Sequence, residues 1–433
     1  MSAANLQSVL SQFSLDDIEV ELEATEYERD LAKFFRGAWS TMDPSPYHHN
    51  WHIDAIADHL MAVTDGSIRR LLINVPPRTG KTLLVSDAWM AWTWAQKFIG
   101  PLSGPQVAFL CVSYASQLSL DNAMTTNRLI KSAWYRKYWG HRVKITKDKD
   151  SSERFDSTAG GTRISTGFDG STMGRGGAVK IIDDPHKAQE VESDLVRAAV
   201  IKTYDEVLSS RFLNLATSAE VIIMQRLAEN DLSGHVLDRG GFVHLCLPME
   251  YDPRRHCMTV LGWQDPRGLD ENGELLEGLE EKKNRDGDVE IVVRPGSPMS
   301  EVDGEILDPV RFPPEPLNTW KEALGPFGVA GQLQQRPAPR SGGIIHEDWW
   351  HTWQHDQFPA FGTVIVSADT AYTEKEENDY SAATVWGVFP GIDGNPLVML
   401  VDAWQDRVEL PKLTAKLIEM CRKHRADILL IEA

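Results

Sequence analysis

Between about residues 47 and 248, short β-rich apolar runs alternate with stretches of helical periodicity, and this alternation constrains the fold more than any other feature. The runs are "LLINVP" (71–76), "QVAFLCVS" (106–113), "AVKIID" (178–183), "EVIIMQ" (220–225) and "GFVHLCLP" (241–248). Strands joined through helices return in parallel, so the pattern predicts an α/β fold with a mostly parallel sheet covered by helices. One pair departs from it. "SERFDSTAGGTRISTGF" reads as a hairpin turning at Gly160-Gly161.

A chain of 433 residues has room for two or three domains. Residues 1–46 form an acidic helical region, with Leu15, Ile18, Leu22, Leu31, Phe34 and Phe35 at helical spacing. Residues 47–249 are the α/β domain. Residues 250–345 are rich in Pro, Gly and acids and read as a linker or small irregular subdomain, with "DENGELLEGLEEKKNRDGDVE" (270–290) a solvated excursion. Residues 346–433 carry a new order: strands "GTVIVSAD", "SAATVWGVF" and "LVMLVDAW", the helix "LPKLTAKLIEMCRKH", then the strand "ADILLIEA". The helix puts Leu413, Leu417, Met420 and Cys421 on one side. Three strands, a helix and a fourth strand are the opening half of an RNase-H-like domain.

The balance of 44 Lys+Arg against 63 Asp+Glu gives −19, which at first argues against a nucleic-acid partner. The acidity is local, however. Residues 1–46 hold nine acids and three bases, and residues 265–308 hold fourteen acids and five bases. The remainder is near neutral and leaves room for a basic groove. No apolar run approaches the roughly 18 residues of a membrane span, and the N-terminus lacks a signal-peptide pattern, so a soluble intracellular protein is expected. Four cysteines without a C-x-x-C pair predict buried free thiols rather than disulfides or a zinc site.

The stretch "RRLLINVPPRTGKTLLVSDAW" (69–89) puts Arg78-Thr79-Gly80-Lys81-Thr82 between a buried-type strand and a helix. Such a junction cradles phosphates: backbone N–H groups face them, Lys81 neutralises them, and the Thr82 hydroxyl ligates Mg²⁺. Arg78 adds a second cation. Val75 and the two prolines stand where glycine is usual, so the loop should be stiff. "AVKIIDDP" supplies the other half of an ATP site, with Asp183 to hold Mg²⁺ and Asp184 to polarise the attacking water. Strand-end carboxylates share the sheet edge where open α/β sheets bind ligands. The plain alternative is a surface Asp-Asp-Pro turn.

Four segments in order, "PPRTGKT", "VKIIDDPHKAQEVES", "VIIMQRLAENDLSG" and "FGVAGQLQQRPAPRSGG", resemble the large terminase subunit of tailed bacteriophages, from about Tyr47 to Ala433. The resemblance implies an ASCE-type P-loop NTPase that packages double-stranded DNA with ATP and Mg²⁺, followed by an RNase-H-like endonuclease. Its implied partners are DNA, the portal protein, a small terminase subunit and other copies of the chain in a ring. Its implied location is the host cytoplasm, transiently at the procapsid's portal vertex, with no membrane. An altered phosphate loop with a basic residue before Gly-Lys is common in that family, which accounts for Val75 and Arg78.

By the same resemblance, "YHHNWHIDAIADHL" (47–60) matches the segment that clamps adenine, which makes His52 a nucleotide contact. A metal site using His48, His49, His52 and His59 is the rival reading. "MQRLAENDLSG" matches the coupling motif, with Arg226 in coupling and Gln225 near the γ-phosphate. Gln225 stands where the family has a small hydroxyl residue, and Asp184 where many packaging motors have glutamate; Glu190 or Glu192 would then help. Arg175, Arg211 and Arg226 are candidates for a trans-acting arginine finger.

Two-metal nucleases need clustered carboxylates. Asp369 ends the first strand of the C-terminal region and Glu432 the fourth, and these strands are neighbours in an RNase-H-like sheet. Asp379 is either a third ligand or a solvated loop charge. Mg²⁺ or Mn²⁺ would serve. A further strand and a helix with another metal-binding aspartate, present in the family, do not follow Glu432 here. The nuclease is therefore expected to be incomplete and weak. Two other readings stand beside the packaging motor: a helicase- or repair-type DNA-dependent ATPase, and an inactive prophage relic.

Overall fold

The computed structural model describes residues 14–97, 99–168, 176–191, 193–283, 289–294, 304–338, 353, 358–369, 381–391, 395–406, 408 and 410–432. They fall into two compact units, Met1–Ile345 and His346–Ala433.

The first unit is built on an eight-stranded sheet in the order β3-β4-β5-β2-β6-β7-β1-β8. The strands are β1 (Arg70–Asn74), β2 (Phe109–Ser113), β3 (Ile145–Asp150), β4 (Arg154–Ser157), β5 (Thr162–Gly167), β6 (Val179–Asp183), β7 (Ala219–Met224) and β8 (Val243–Cys246). From β5 to β8 every neighbour is parallel, while β4 and β3 extend one edge antiparallel. The expected mostly parallel sheet is present. Helix-mediated crossovers explain it: every residue of β2, β6 and β7 is buried, as strands covered on both faces must be.

Alternation along each strand divides the core in two. Leu71, Ile73, Phe109, Val179, Ile181, Val221 and Ile223 face a large cluster with the N-terminal helices and the Trp89–Ala95 helix. Leu72, Leu110, Val112, Ile182, Ile222 and Met224 face a smaller one with Tyr204, Leu232 and Val236. The β4–β5 hairpin turns at Gly160, whose φ of 94° suits glycine.

The N-terminal region divides differently from its apolar spacing. Leu31, Phe34 and Phe35 in the helix Leu31–Met42 are fully buried. In the helix Leu15–Arg29, Leu15 and Leu22 are exposed and Ile18 is only half-buried. That helix is instead tied down by Tyr27 among Trp134, Tyr138 and Trp139, and by Glu23–Lys137 and Glu28–Arg142 ion pairs. Within 250–345 the described residues hold an antiparallel pair, β9 (Leu279–Lys283) inside the expected excursion and β10 (Val289–Val293) running past its end, and the helix Pro314–Gly328.

The second unit is a four-stranded sheet, β13-β12-β11-β14. β11 (Thr363–Asp369), β12 (Ser381–Pro390) and β13 (Pro396–Asp406) run antiparallel in succession, and β14 (Ile428–Glu432) returns parallel to β11. The helix Leu410–His424 makes that crossover and buries Leu413, Leu417 and Met420 against Val366, Ala368, Ala383 and Val385. Among the described residues no helix is long and apolar enough to cross a membrane.

Candidate functional site

The strands β1, β2, β6 and β7 end level at one sheet edge, where Asn74 pairs with Met224 and Ser113 with Asp183 in register. At that edge the chain from β1 turns through Val75–Lys81 into a helix. Two residues of the turn adopt left-handed backbone, Arg78 (φ 65°) and Gly80 (φ 83°), and so does Asp184 (φ 42°) just past β6. Glycine accepts this conformation freely. Arg78 and Asp184 do not, and such strain gathers at ligand sites. The helix opens with a π-type turn, Leu83–Ala88, before continuing as Trp89–Ala95. Irregular turns of this kind also gather at working sites.

Side chains from loop and strand then meet. The buried Lys81 Nζ donates to Asp184 Oδ1 at 2.7 Å. Thr82 Oγ1 donates to Asp183 Oδ1 at 3.2 Å, and Ser86 Oγ, one turn on, donates to Oδ2 at 2.6 Å. Asn122 Nδ2 reaches the same Oδ2 at 3.4 Å. Burial, and then the neighbouring Asp184 charge, push the Asp183 carboxyl up to about 6. A hydroxyl and a carboxylate are the hard oxygen donors that Mg²⁺ favours, and Lys81 with Arg78 suits a polyphosphate.

His52 stands behind this loop. It is buried, its Nε2 donates to the Thr79 carbonyl at 3.0 Å, and its Nδ1 accepts from Asn50 Nδ2 at 2.6 Å. Burial lowers its pKa to about 4, so the ring is neutral, as this pattern of one donor and one acceptor requires. Both nitrogens are committed inside the protein, and the residue supports the loop's backbone. The four histidines of the rival metal reading are not brought together. His48 faces Asp308, His49 faces Asp54, and His59 bonds Ala55 and Thr259. Among the described residues no group of three or more His, Cys, Asp or Glu could hold a metal ion.

The loop opens into a cavity of about 640 Å³, a size that fits a nucleotide. One wall is Pro77, Arg78, Gly80, Lys81, Thr82, Leu83 and Asp184. The opposite wall is Arg311, Phe312, Pro313, Pro316, Leu317 and Trp320. Arg78 lies over the Trp320 ring at 6.0 Å, and Phe312 stacks on Trp320 at 6.3 Å between centroids. Sequence reasoning missed this second wall. Its only signal was "RFPPEP", a cation and an aromatic before a Pro-initiated helix, set in a region otherwise resembling a linker.

The coupling-motif residues follow β7, between β1 and β6. Arg226 is folded back on its own turn: its Nε meets Asp231 at 3.0 Å and its Nη2 meets the Ala228 and Glu229 carbonyls. Its backbone N–H donates to Gln335 Oε1 at 2.9 Å, joining two segments that the resemblance singled out. The Gln225 Oε1 atom is buried without a hydrogen-bond partner among the described residues. Arg211 has a buried Nε in the same condition. Glu190 pairs with Lys187 at 2.6 Å. Arg175 and Glu192 lie outside the described residues.

In the second unit Asp369, exposed at the end of β11, is the register partner of Glu432 in β14. The topology thus brings the two positions side by side. Asp379 and the side chain of Glu432 lie outside the described residues.

These features define a mixed α/β protein in which a strand–loop–helix junction and a strand-end pair of aspartates share one edge of a large, mostly parallel sheet. No protein-family model matches the chain, and no curated protein does. Among solved structures it is similar to the HK97 bacteriophage large terminase, at 12% identity over 94% of this chain and 74% of that one, with a TM-score of 0.39. At that score the likeness establishes neither a shared fold nor a shared activity.

Proposed function

We propose that the chain is an ATP-hydrolysing motor of the large-terminase kind, which moves double-stranded DNA into procapsids and carries a metal-dependent endonuclease site on its second unit. The observation that carries the reading is the meeting of Lys81 with Asp184 and of Thr82 with Asp183 across β1 and β6. The strand order supports the ASCE class, because β7 lies between the loop strand and the aspartate strand. The position after β7 then faces both, and the unpartnered Gln225 Oε1 stands there.

Mg²⁺ bound with ATP would supply charge neutralisation at the transferred phosphoryl group. Thr82 and Asp183 would hold the metal, and Lys81 would donate to phosphate oxygens. The Lys81 ammonium donates to Asp184 Oδ1. A phosphate drawing Lys81 to itself would leave Asp184 to accept a proton from the attacking water. Arg78 contributes a second positive charge. Arg226, bound to Asp231, would take part in coupling by way of its contact with Gln335. On the second unit Asp369 and Glu432 would hold Mg²⁺ or Mn²⁺ for phosphodiester cleavage. The implied partners are DNA, a portal, a small terminase subunit and further copies of the chain, met in the host cytoplasm at the portal vertex.

The test is Lys81→Ala. It should abolish Mg²⁺-dependent ATP turnover without unfolding the protein, and retained turnover would sink the site assignment.

A further inference from the structure

The wall opposite the phosphate loop carries one group whose chemistry is otherwise unused. Arg311 lines the cavity, is exposed, and its guanidinium has no hydrogen-bond or ion-pair partner among the described residues. Its neighbours on that wall are apolar: Phe312, Pro313, Pro316 and Leu317, with Trp320 beyond. A cation set among apolar groups, with the longer-range field of Asp43 beside it, and facing Lys81 and Arg78 across a nucleotide-sized space, matches a polyanion held between the walls.

Arg311 is also fixed to the loop it faces. Its backbone N–H donates to Asp308 Oδ1 at 3.0 Å, and Asp308 is buried. The preceding Leu307 carbonyl accepts from Asn50 Nδ2 at 2.9 Å, and the same amide nitrogen donates to His52 Nδ1 at 2.6 Å. His52 in turn holds the Thr79 carbonyl within the phosphate loop. Asn50 occupies the N-cap of the helix Trp51–Asp65, yet its side chain makes no capping bond. Both amide hydrogens are spent on the bracket instead. A continuous chain of hydrogen bonds thus runs from the loop, through His52 and Asn50, to the segment that presents Arg311.

We propose that Arg311 is a further cation for the phosphate tail of the nucleotide, supplied by the same chain from the opposite wall, with Asn50 as the residue that positions it. This rests on the phosphate-site reading above but adds a second wall to it. Asn50 acts through His52 and Leu307 and has no contact with the ligand itself.

The experiment is calorimetric titration of the full chain with Mg·ATP and, separately, with Mg²⁺ and inorganic triphosphate. The variants are Arg311→Gln, Arg311→Lys, Asn50→Ala, the double Asn50→Ala/Arg311→Gln, and Lys81→Ala as reference. Arg311→Gln should weaken both probes about tenfold, because one charge-assisted contact is lost. Arg311→Lys should recover part of that loss. The double variant should lose less than the two single losses added together, since the part of Asn50's effect that acts through Arg311 is then gone and only its support of the loop through His52 remains. An exposed, unpartnered arginine can be replaced without unfolding, so melting temperatures serve as the control.

If Arg311→Gln binds both probes within twofold of wild type while Lys81→Ala loses them, the proposal is overturned and the phosphate site stands. If wild type binds neither probe, the phosphate site falls and this proposal with it. If the two losses simply add in the double variant, Arg311 keeps its role and the positioning role of Asn50 is wrong.

Discussion

The molecule presents two sheet edges where parallel strands end in acids, and they are built to very different completeness. At the first, Asp183 at the end of β6 is buried and takes hydrogen bonds from Thr82, Ser86 and Asn122, while Asp184 holds Lys81. At the second, Asp369 ends β11 in register with Glu432 of β14, but Asp369 is exposed. Topology alone delivers the acids in both places. Among the described residues, what distinguishes the first edge is a loop, a helix and a second wall that enclose the acids and lower the local dielectric. The second unit also leaves Ile428 to Ile431 of β14 partly open, between 43 and 55% exposed. Adjacency positions charges, and enclosure makes them strong.

The largest effect that tests this contrast is on turnover. Asp183→Asn should lower Mg²⁺-dependent ATP hydrolysis by on the order of a thousandfold, the loss of several kcal/mol of charge stabilisation. Asp369→Asn should leave it within about twofold. Equal losses in both variants would mean that the two edges serve one reaction, and the comparison would fail.

Next comes DNA cleavage. Wild type should convert supercoiled plasmid to nicked form in Mn²⁺ weakly at most, robust cutting would overturn the expectation of an incomplete site, and Asp369→Ala should remove whatever cutting is seen, with ATP turnover intact. Cleavage that survives the substitution would leave the second edge a topological coincidence. A smaller effect is expected behind the loop. His52→Ala removes the partner of the buried Thr79 carbonyl, at a cost of about 1–3 kcal/mol. A lower melting temperature together with weaker Mg·ATP binding would support its structural role. Weaker binding with unchanged stability would return His52 to direct ligand contact.

How far the sequence anticipates all this follows the same division. Apolar content and length made β1, β2, β6, β7 and β8 legible, because burial on both faces of β2, β6 and β7 leaves little choice of residue, and β8, half-buried at the edge, keeps an apolar run. Local chemistry did the same for the Lys81–Thr82 and Asp183–Asp184 junctions. β3 was not legible: "ITKDKD" has no apolar pattern, since its last four residues are solvent-exposed and it is held by pairing with β4, by Ile145 against the core and by Lys131 and Asn127 on Asp150. Nor was the wall at Arg311–Trp320, whose role depends on contacts more than two hundred residues away in sequence. His52 was visible as a motif residue, but its direction was not. Spacing places a side chain on a helix, whereas the Thr79 carbonyl and Asn50 decide where it points.

The smallest expected effect concerns pH, and it separates the enclosed unit's structural histidines from its acids. Burial lowers His52, His186 and His244 to about 4 from an ordinary 6.5. Between those values the unfolded chain takes up protons that the folded chain refuses. Their contribution is complete above about pH 6.5 and is lost as pH falls toward 4, by at most roughly 1.4 kcal/mol per pH unit for each ring. Asp183 acts in the opposite sense. Its carboxyl is raised to about 6, so the folded chain binds the extra proton below that value, and stability from this group is lost as pH rises through it. The histidines, His59 and His256 among them, predict destabilisation on acidification between pH 6.5 and 4, opposed by Asp183 and by Asp54, Asp58 and Asp87, which burial also raises, and the balance is read from urea midpoints across the range. Asp183→Asn removes one of the opposing groups, so the loss of stability on acidification should become steeper. An unchanged dependence in that variant would mean that Asp183 stays ionised through the window, and that the first edge is less enclosed than its hydrogen bonds imply.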